Sequence, residues 1–533
     1  MKHMSNKIES LSFFQIFASF FAIVILRLII DNLVYPSPSG YFFQTERLIQ
    51  LPFYFLSIFL TFSLAVYFLT QKSFKEIFNF LTYAFIFILI IPVIDFVTNG
   101  SSVDALKYVV INISEFPKLF IFLLNPYSGQ GITLGQHVGV LAIFVSLSYF
   151  VYIKTKKFTK VVLSFILNYT LLFLYAIMPS ILLIFNETVS KKQKPLEAYF
   201  QLINGSWLSH KSSESNFLIE YLSSPSTNSE IVMSRVFWLL IIVQLAIIFY
   251  FSNKSVFLAF IKNSRNTRIF YWLIIAEIGM LVSQKMGFGI NFKNPINLLT
   301  LFDYILLIIL NIWLAVFIND KEDVAIDKIS NPARPLVRGV VSLNEWSFMT
   351  KILVLLIIFG LIIMERSVAI LILLSQSLYY VYSVKPLKLK RNFITSSFVI
   401  GMTSVFISMS GFFLVSYNQH INAFPLKTAF LIFVSYALLS NLKDIKDYKG
   451  DSYENIKTLP VVFGLKKSKI IIATLCAIVL ISVPVLLNLY KLLFISICIA
   501  TFLFYLFTKK EYQERYVFLA LFLYIFFLFL AVV

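Results

Sequence analysis

Residues 297–327 read NLLTLFDYILLIILNIWLAVFINDKEDVAID, a long apolar run that closes in three carboxylates. The apolar part is long enough to cross a bilayer, since about 20 helical residues match a hydrocarbon core of about 30 Å. Asp320, Asp323 and Asp327 follow Asn319 in steps of three and then four. That spacing predicts one helical face carrying all three, because neighbours on a helix surface lie three or four positions apart. The same spacing returns in residues 443–451, KDIKDYKGD, with Asp444, Asp447 and Asp451. Like charges gathered in this way repel, so a hard divalent cation is the expected counter-charge. Mg²⁺ suits the position, because it combines a few carboxylates with water and phosphate oxygens.

The rest of the chain supplies the setting. It is 59% hydrophobic and only 13% charged, against about 25% charged in soluble domains, and its mean hydropathy is +0.85. Span-length apolar runs fall near residues 11–34, 51–71, 79–98, 105–124, 134–153, 160–185 and 233–252. Nine more follow near 268–285, 297–318, 349–364, 367–383, 393–416, 425–441, 468–489, 491–508 and 515–533. The expected fold is an all-α polytopic membrane protein, with about six or seven transmembrane helices in an N-terminal bundle and about nine in a C-terminal one. Barrel strands would be shorter and would alternate. The expected division is residues 1–253, with a polar insert near 186–230, and residues 254–533. The first apolar run is too long for a cleaved signal peptide, so it is expected to remain as a span.

The formal net charge of +19 does not point to nucleic acid, because the basic residues lie in loops between spans. Within the nine later spans, the loops after the second, fourth and sixth are basic. They hold Lys321, Lys328, Arg334 and Arg338; Lys385, Lys388, Lys390 and Arg391; and Lys443, Lys446, Lys449 and Lys457. An excess of Lys and Arg marks the cytoplasmic side, so both aspartate runs are expected at that face of the cell membrane. Cys476 and Cys498 lie in apolar helices and read as small core hydrophobes. His3, His137, His210 and His420 show no ligand spacing.

Three aspartates exposed to lipid would cost roughly 8–10 kcal/mol even on the lenient insertion scale. They are therefore expected at helix ends around a polar cavity. Diphosphate suits such a cavity, because divalent cations bridge its oxygens to carboxylates while Lys and Arg pair with the remaining charge.

Three motifs carry a family resemblance. NDKEDVAIDKISNPARPLVRG (319–339) resembles the first signature of the UbiA-type intramembrane prenyltransferases, and KDIKDYKGDSYENIKTLPVVFG (443–464) resembles the second. Between them, Tyr382-Ser383-Val384-Lys385-Pro386, continued by Lys388, Lys390 and Arg391, is similar to the family's Y-S-x-x-P element. The resemblance covers residues 254–533 and implies nine spans and a reaction: transfer of a polyprenyl group from an isoprenoid diphosphate to a lipophilic acceptor, with Mg²⁺ as cofactor. It implies that Asp320, Asp323, Asp327, Asp444, Asp447 and Asp451 hold the metal. Asp320, Asp323, Asp444 and Asp447 would act in catalysis. Asn319, Arg334, Tyr382, Lys385, Lys388 and Lys457 would bind substrate; the allylic cation needs an aromatic face, and Tyr379, Tyr380 and Tyr382 beside the basic loop are the candidates for it. Ser452-Tyr453-Glu454-Asn455 departs from the basic, Gly-containing turn common in relatives, which alters the loop over the diphosphate.

Two other readings compete: a polytopic transporter, and a non-catalytic membrane scaffold. A transporter predicts charges deep within broken spans, whereas these carboxylates cluster at span ends. In residues 1–253, Arg27 and Asp31 lie four apart and read as a helix-end ion pair, and Ser128-Gly129-Gln130-Gly131 reads as a turn between spans.

Overall fold

The computed structural model describes residues 12–34, 45–99, 120, 133–191, 229–290, 295–509 and 513–532. The span expected near 105–124, apart from residue 120, the turn at 128–131 and most of the insert near 186–230 lie outside these residues. Secondary structure among the described residues is helical, with only two isolated β-bridges. Twelve of the helices are long and apolar enough to cross a membrane. The chain divides into two compact units, Met1–Lys254 with Asn291–Asp303, and Ser255–Ile290 with Tyr304–Val533.

The first unit contains α1 (Phe13–Val34), α2 (Thr45–Thr70), α3 (Phe74–Ala84), α4 (Ile90–Asn99), α5 (Leu134–Thr155), α6 (Phe158–Lys191) and α7 (Ser229–Ser252). Arg27 and Asp31 form the expected ion pair on α1, at 3.1 Å. A buried polar knot ties α2, α6 and α7 together: the Tyr175 hydroxyl lies 2.6 Å from Ser57 Oγ, and Gln244 Nε2 donates to Thr61 Oγ1 at 2.6 Å. Bonds of this kind fix helix register where lipid offers no partner.

The second unit contains α8 (Lys254–Lys262, whose first residue closes the first unit), α9 (Asn266–Lys285), α10 (Pro295–Glu322), α11 (Val324–Ser330), α12 (Leu343–Ile362), α13 (Arg366–Ser383), α14 (Phe393–Val415), α15 (Leu426–Leu439), α16 (Asp444–Tyr453), α17 (Leu459–Phe463), α18 (Leu465–Leu486), α19 (Leu493–Thr508) and α20 (Glu514–Val532). The stretch of α10 up to Asp303 groups with the first unit. The nine apolar runs read from the later sequence correspond to α9, α10, α12 to α15 and α18 to α20. Of these, α9 carries Arg268, Glu277 and Lys285, and α13 is interrupted by Ser375, Gln376 and Ser377, so neither ranks among the most apolar helices.

Two packing features position the site. Helices α9 and α14 cross at glycine: a Cβ on Gly279 would lie 1.7 Å from the Ser408 carbonyl oxygen, and one on Gly411 would lie 2.0 Å from that of Ala276. Beneath the second aspartate run, Leu442 and Ile445 join Ile472, Cys476, Leu503 and Phe507 in a buried apolar cluster. This anchors α16 by its apolar side. Cys476 thus behaves as the expected core residue, but Cys498 is exposed, because on α19 it turns away from the packed side.

Candidate active site

Both aspartate runs sit where an apolar helix gives way to a short polar one. Helix α10 continues past its apolar part to Glu322, and Asp323, at φ −108° and ψ 17°, is the N-cap from which α11 starts. The first run therefore straddles a helix break, and one continuous helical face does not carry it. Asp320 lies in the last turn of α10, Asp323 at the break and Asp327 on α11. At the second run, α15 passes through a 3₁₀ turn, Ser440–Lys443, into α16, which carries Asp444, Asp447 and Asp451 on one helix. Helices α11 and α16 pack against each other, and Asp451 lies within electrostatic range of Asp323. The two runs thus meet, although Asp327 and Asp444 are far apart in the chain.

Basic and amide groups fill the space around the first run. Asp320 is 2% exposed; its Oδ2 accepts from Asn263 Nδ2 at 2.9 Å, and its Oδ1 accepts from Arg265 and, at 3.0 Å, from Arg334. Arg334 also donates to Asp327 Oδ2, so it bridges the two carboxylates. Lys390 donates to Asp323 Oδ2 and, at 2.9 Å, to Asn319 Oδ1. Asp323 Oδ1 accepts no hydrogen bond, and Lys388 Nζ stands 3.4 Å away. Burial pushes the Asp327 carboxyl up to about 6; Arg334 pulls it back, while Asp320 and Asp323 push it higher. Burial also lowers the Arg265 guanidinium, to about 10, which leaves it cationic at neutral pH.

Around the second run, Asp444 and Asp451 are buried and Asp447 is half-buried. Tyr382 is buried; its hydroxyl accepts from Lys443, whose Nζ also lies 4.9 Å from the ring centroid. The face suggested for an allylic cation is thus shared with a lysine. Lys457 is tied to the basic loop through its backbone, its N–H donating to Arg391 O at 2.8 Å and its carbonyl accepting from Phe393 N at 3.0 Å. The side chains of Lys457 and Lys385 are exposed. The structure therefore gathers Asn319, the aspartates, Arg334, Lys388 and Tyr382, and leaves Lys385 and Lys457 at the rim.

Four residues that touch this site carry no site role in the sequence reading: Asn263, Arg265, Lys390 and Lys443. Lys443 could have been noticed as the cation directly preceding the second run. Asn263 and Arg265 carry no such signal, because they come from a connection that reads as a plain basic linker.

Among the described residues no three acidic side chains form a preassembled metal cage. The donor set still fits a hard cation. It consists of carboxylate and amide oxygens, it includes an Asp323 oxygen without a hydrogen bond, and Mg²⁺ characteristically takes only one or two carboxylates and completes its shell with substrate phosphate.

The sequence model of the UbiA prenyltransferase family matches residues 278–530. The C-terminal half belongs to that family. No family matches the N-terminal half. Relatives of the UbiA domain include the digeranylgeranylglyceryl phosphate synthases of Saccharolobus solfataricus, 33% identical over 31% of this chain and 58% of the relative, and of Methanosphaera stadtmanae, 30% identical over 34% of this chain and 65% of the relative. The enzyme of the same name from Methanococcus aeolicus is 28% identical over 42% of this chain and 77% of the relative. The chain thus spans less than two thirds of the first two relatives. A solved UbiA homologue from Archaeoglobus fulgidus, bound to DMAPP and Mg²⁺, overlays with a TM-score of 0.39 at 16% identity, over 51% of this chain and 98% of that one.

Proposed function

We propose that the UbiA domain, with its boundary near residue 254, transfers a prenyl group from an isoprenoid diphosphate to a lipophilic acceptor at the cytoplasmic face of the cell membrane, with Mg²⁺ as cofactor. The observation that carries this reading is the packing of α11 on α16, which faces two carboxylate runs toward each other inside a ring of Lys and Arg. In this reading Asn319, Asp323, Asp327, Asp444, Asp447 and Asp451 hold the metal and diphosphate. Bound Mg²⁺ would neutralise charge on the departing diphosphate. Arg334, Lys388 and Lys390 pair with the diphosphate oxygens and stabilise the charge that develops as the allylic C–O bond breaks. The diphosphate leaves with the bonding electron pair. A nucleophilic atom of the acceptor then bonds to the allylic carbon and releases its proton. The cation has to be kept from water, which would otherwise capture it.

The relatives' name describes a glyceryl phosphate carrying two geranylgeranyl groups, so a prenylated glyceryl phosphate is the first acceptor to try. Purified full-length protein given radiolabelled geranylgeranyl diphosphate and a panel of glycerol-lipid and aromatic acceptors should form a labelled lipid with Mg²⁺ and none with EDTA. A label that stays with diphosphate under every condition would dismiss the reading. A transporter or a scaffold would give that result.

Proton competition provides a second check. Asp327 must be ionised to ligate metal, so Mg²⁺ affinity should fall as pH drops through about 6. Without metal, the sign reverses for folding. A carboxyl raised from 3.8 to about 6 holds its proton more tightly folded than unfolded, so its contribution to stability is lost as pH rises through that window. Mg²⁺ titrations and thermal midpoints taken across the window read both effects, and a flat Mg²⁺ affinity would exclude Asp327 as a ligand.

A further inference from the structure

Asp320 differs from its neighbours in how completely it is held. Three donors converge on its two oxygens, and two of them, Asn263 and Arg265, come from the α8–α9 connection some 55 positions away in the chain. That connection is itself pinned. Phe260 of α8 stacks on Phe317 of α10 with ring centroids 4.9 Å apart and packs on Trp346 at 5.1 Å, and Trp346 Nε1 donates to Phe317 O at 2.9 Å. Phe317 lies one helical turn before Asp320. Arg265 enters α9 in the left-handed region, at φ 52°, with its side chain only 15% exposed. By contrast, Asp323 is met only by the flexible side chains of Lys388 and Lys390, its Oδ1 accepting no hydrogen bond, and it stands at the start of the helix that packs on α16.

We infer that Asn263 and Arg265 are positioning residues that fix Asp320 as the anchor of the first run. This deepens the proposed function and rests on its metal-binding reading. Both donors precede residue 278, so a chain cut to the family-matched residues would lose them. A carboxylate already saturated by two guanidinium groups and an amide has little charge left for a cation. Its value lies in orienting Arg334 and the end of α10, as supporting partners commonly do at metal sites.

The experiment uses full-length protein in detergent, with Mn²⁺ as the probe and its binding followed by electron paramagnetic resonance. Asp323→Asn should lower Mn²⁺ affinity at least about tenfold, whereas Asp320→Asn should change it by less than about threefold. Arg265→Ala and Asp320→Asn should each lower turnover about tenfold, with Arg265→Lys recovering part of the loss. Because the two side chains share one contact, the double variant should be no worse than either single one. An Asp320→Asn protein that loses Mn²⁺ as fully as Asp323→Asn would overturn the inference, as would effects of Arg265→Ala and Asp320→Asn that multiply. Thermal midpoints of the same cycle judge the anchor without metal, and here too additive losses would count against it. If Asp323→Asn and Asp447→Asn both bind Mn²⁺ like the parent, the metal reading itself fails, a result that the thermal cycle separates from failure of the anchor.

Discussion

Asp323→Asn and Asp451→Asn are each expected to lower prenyl transfer by about 10²–10³-fold at saturating Mg²⁺, the loss typical when one stabiliser of developing charge is removed. One stands at the break before α11 and the other on α16, the helix against which α11 packs. Asparagine preserves shape and hydrogen-bonding capacity while removing the charge, so a loss reports on electrostatics rather than packing. The double variant should be little worse than either single one, because groups that act as a unit on one ligand are not independent. The labelled-lipid assay measures all three proteins, and either single variant retaining more than about a tenth of parental turnover would contradict a shared metal–diphosphate site. Folding is checked by thermal midpoint. Asp323 is already held by Lys388 and Lys390, so loss of its charge would also leave two buried cations less well compensated.

The second large effect is on folding. Gly279→Val and Gly411→Val are each expected to cost more than about 3 kcal/mol, beyond the usual range for overpacking, because the added atoms would meet backbone rather than movable side chains. A Cβ at 1.7 Å or 2.0 Å from a carbonyl oxygen cannot be accommodated by rotamer changes. Ala276 and Gly279 on α9 face Ser408 and Gly411 on α14, so small residues three apart on each helix let the two backbones touch, as small-residue motifs do in membranes. Separation of these helices would also shift the entry of α9, where Arg265 reaches Asp320. The measurement is the thermal midpoint and the monodisperse yield in detergent. A parental midpoint for Gly279→Val would show that the helices do not cross so closely.

How much could be read in advance varied with the range of the interaction. The long apolar helices of the second unit followed from hydropathy, because a stretch such as 393–415 has few alternatives in lipid to forming a helix. The meeting of the two aspartate runs was also foreseeable, since loops on the same side of a bundle share one face. The interruption of the first run was not. Spacing by three and four suits a continuous helix, but Asp323 leaves helical geometry at the junction where α11 turns to pack on α16. Nor could spacing reveal that Tyr382 is engaged by Lys443, or that Lys385 and Lys457 point to the rim, because side-chain partners depend on which loops lie adjacent.

The amino-acid order alone determined that this chain is a helical membrane protein and that two carboxylate runs belong at span ends. Those properties arise from the transfer cost of each residue between water and lipid, which is local and additive along the chain. Only the tertiary structure decided which carboxylate is clamped by two arginines and which pairs with lysines, and that the clamp on Asp320 comes from the α8–α9 connection. That choice depends on distances between atoms remote in sequence, and these distances are set by the packing of Phe260, Phe317 and Trp346 and by the glycine crossing of α9 on α14.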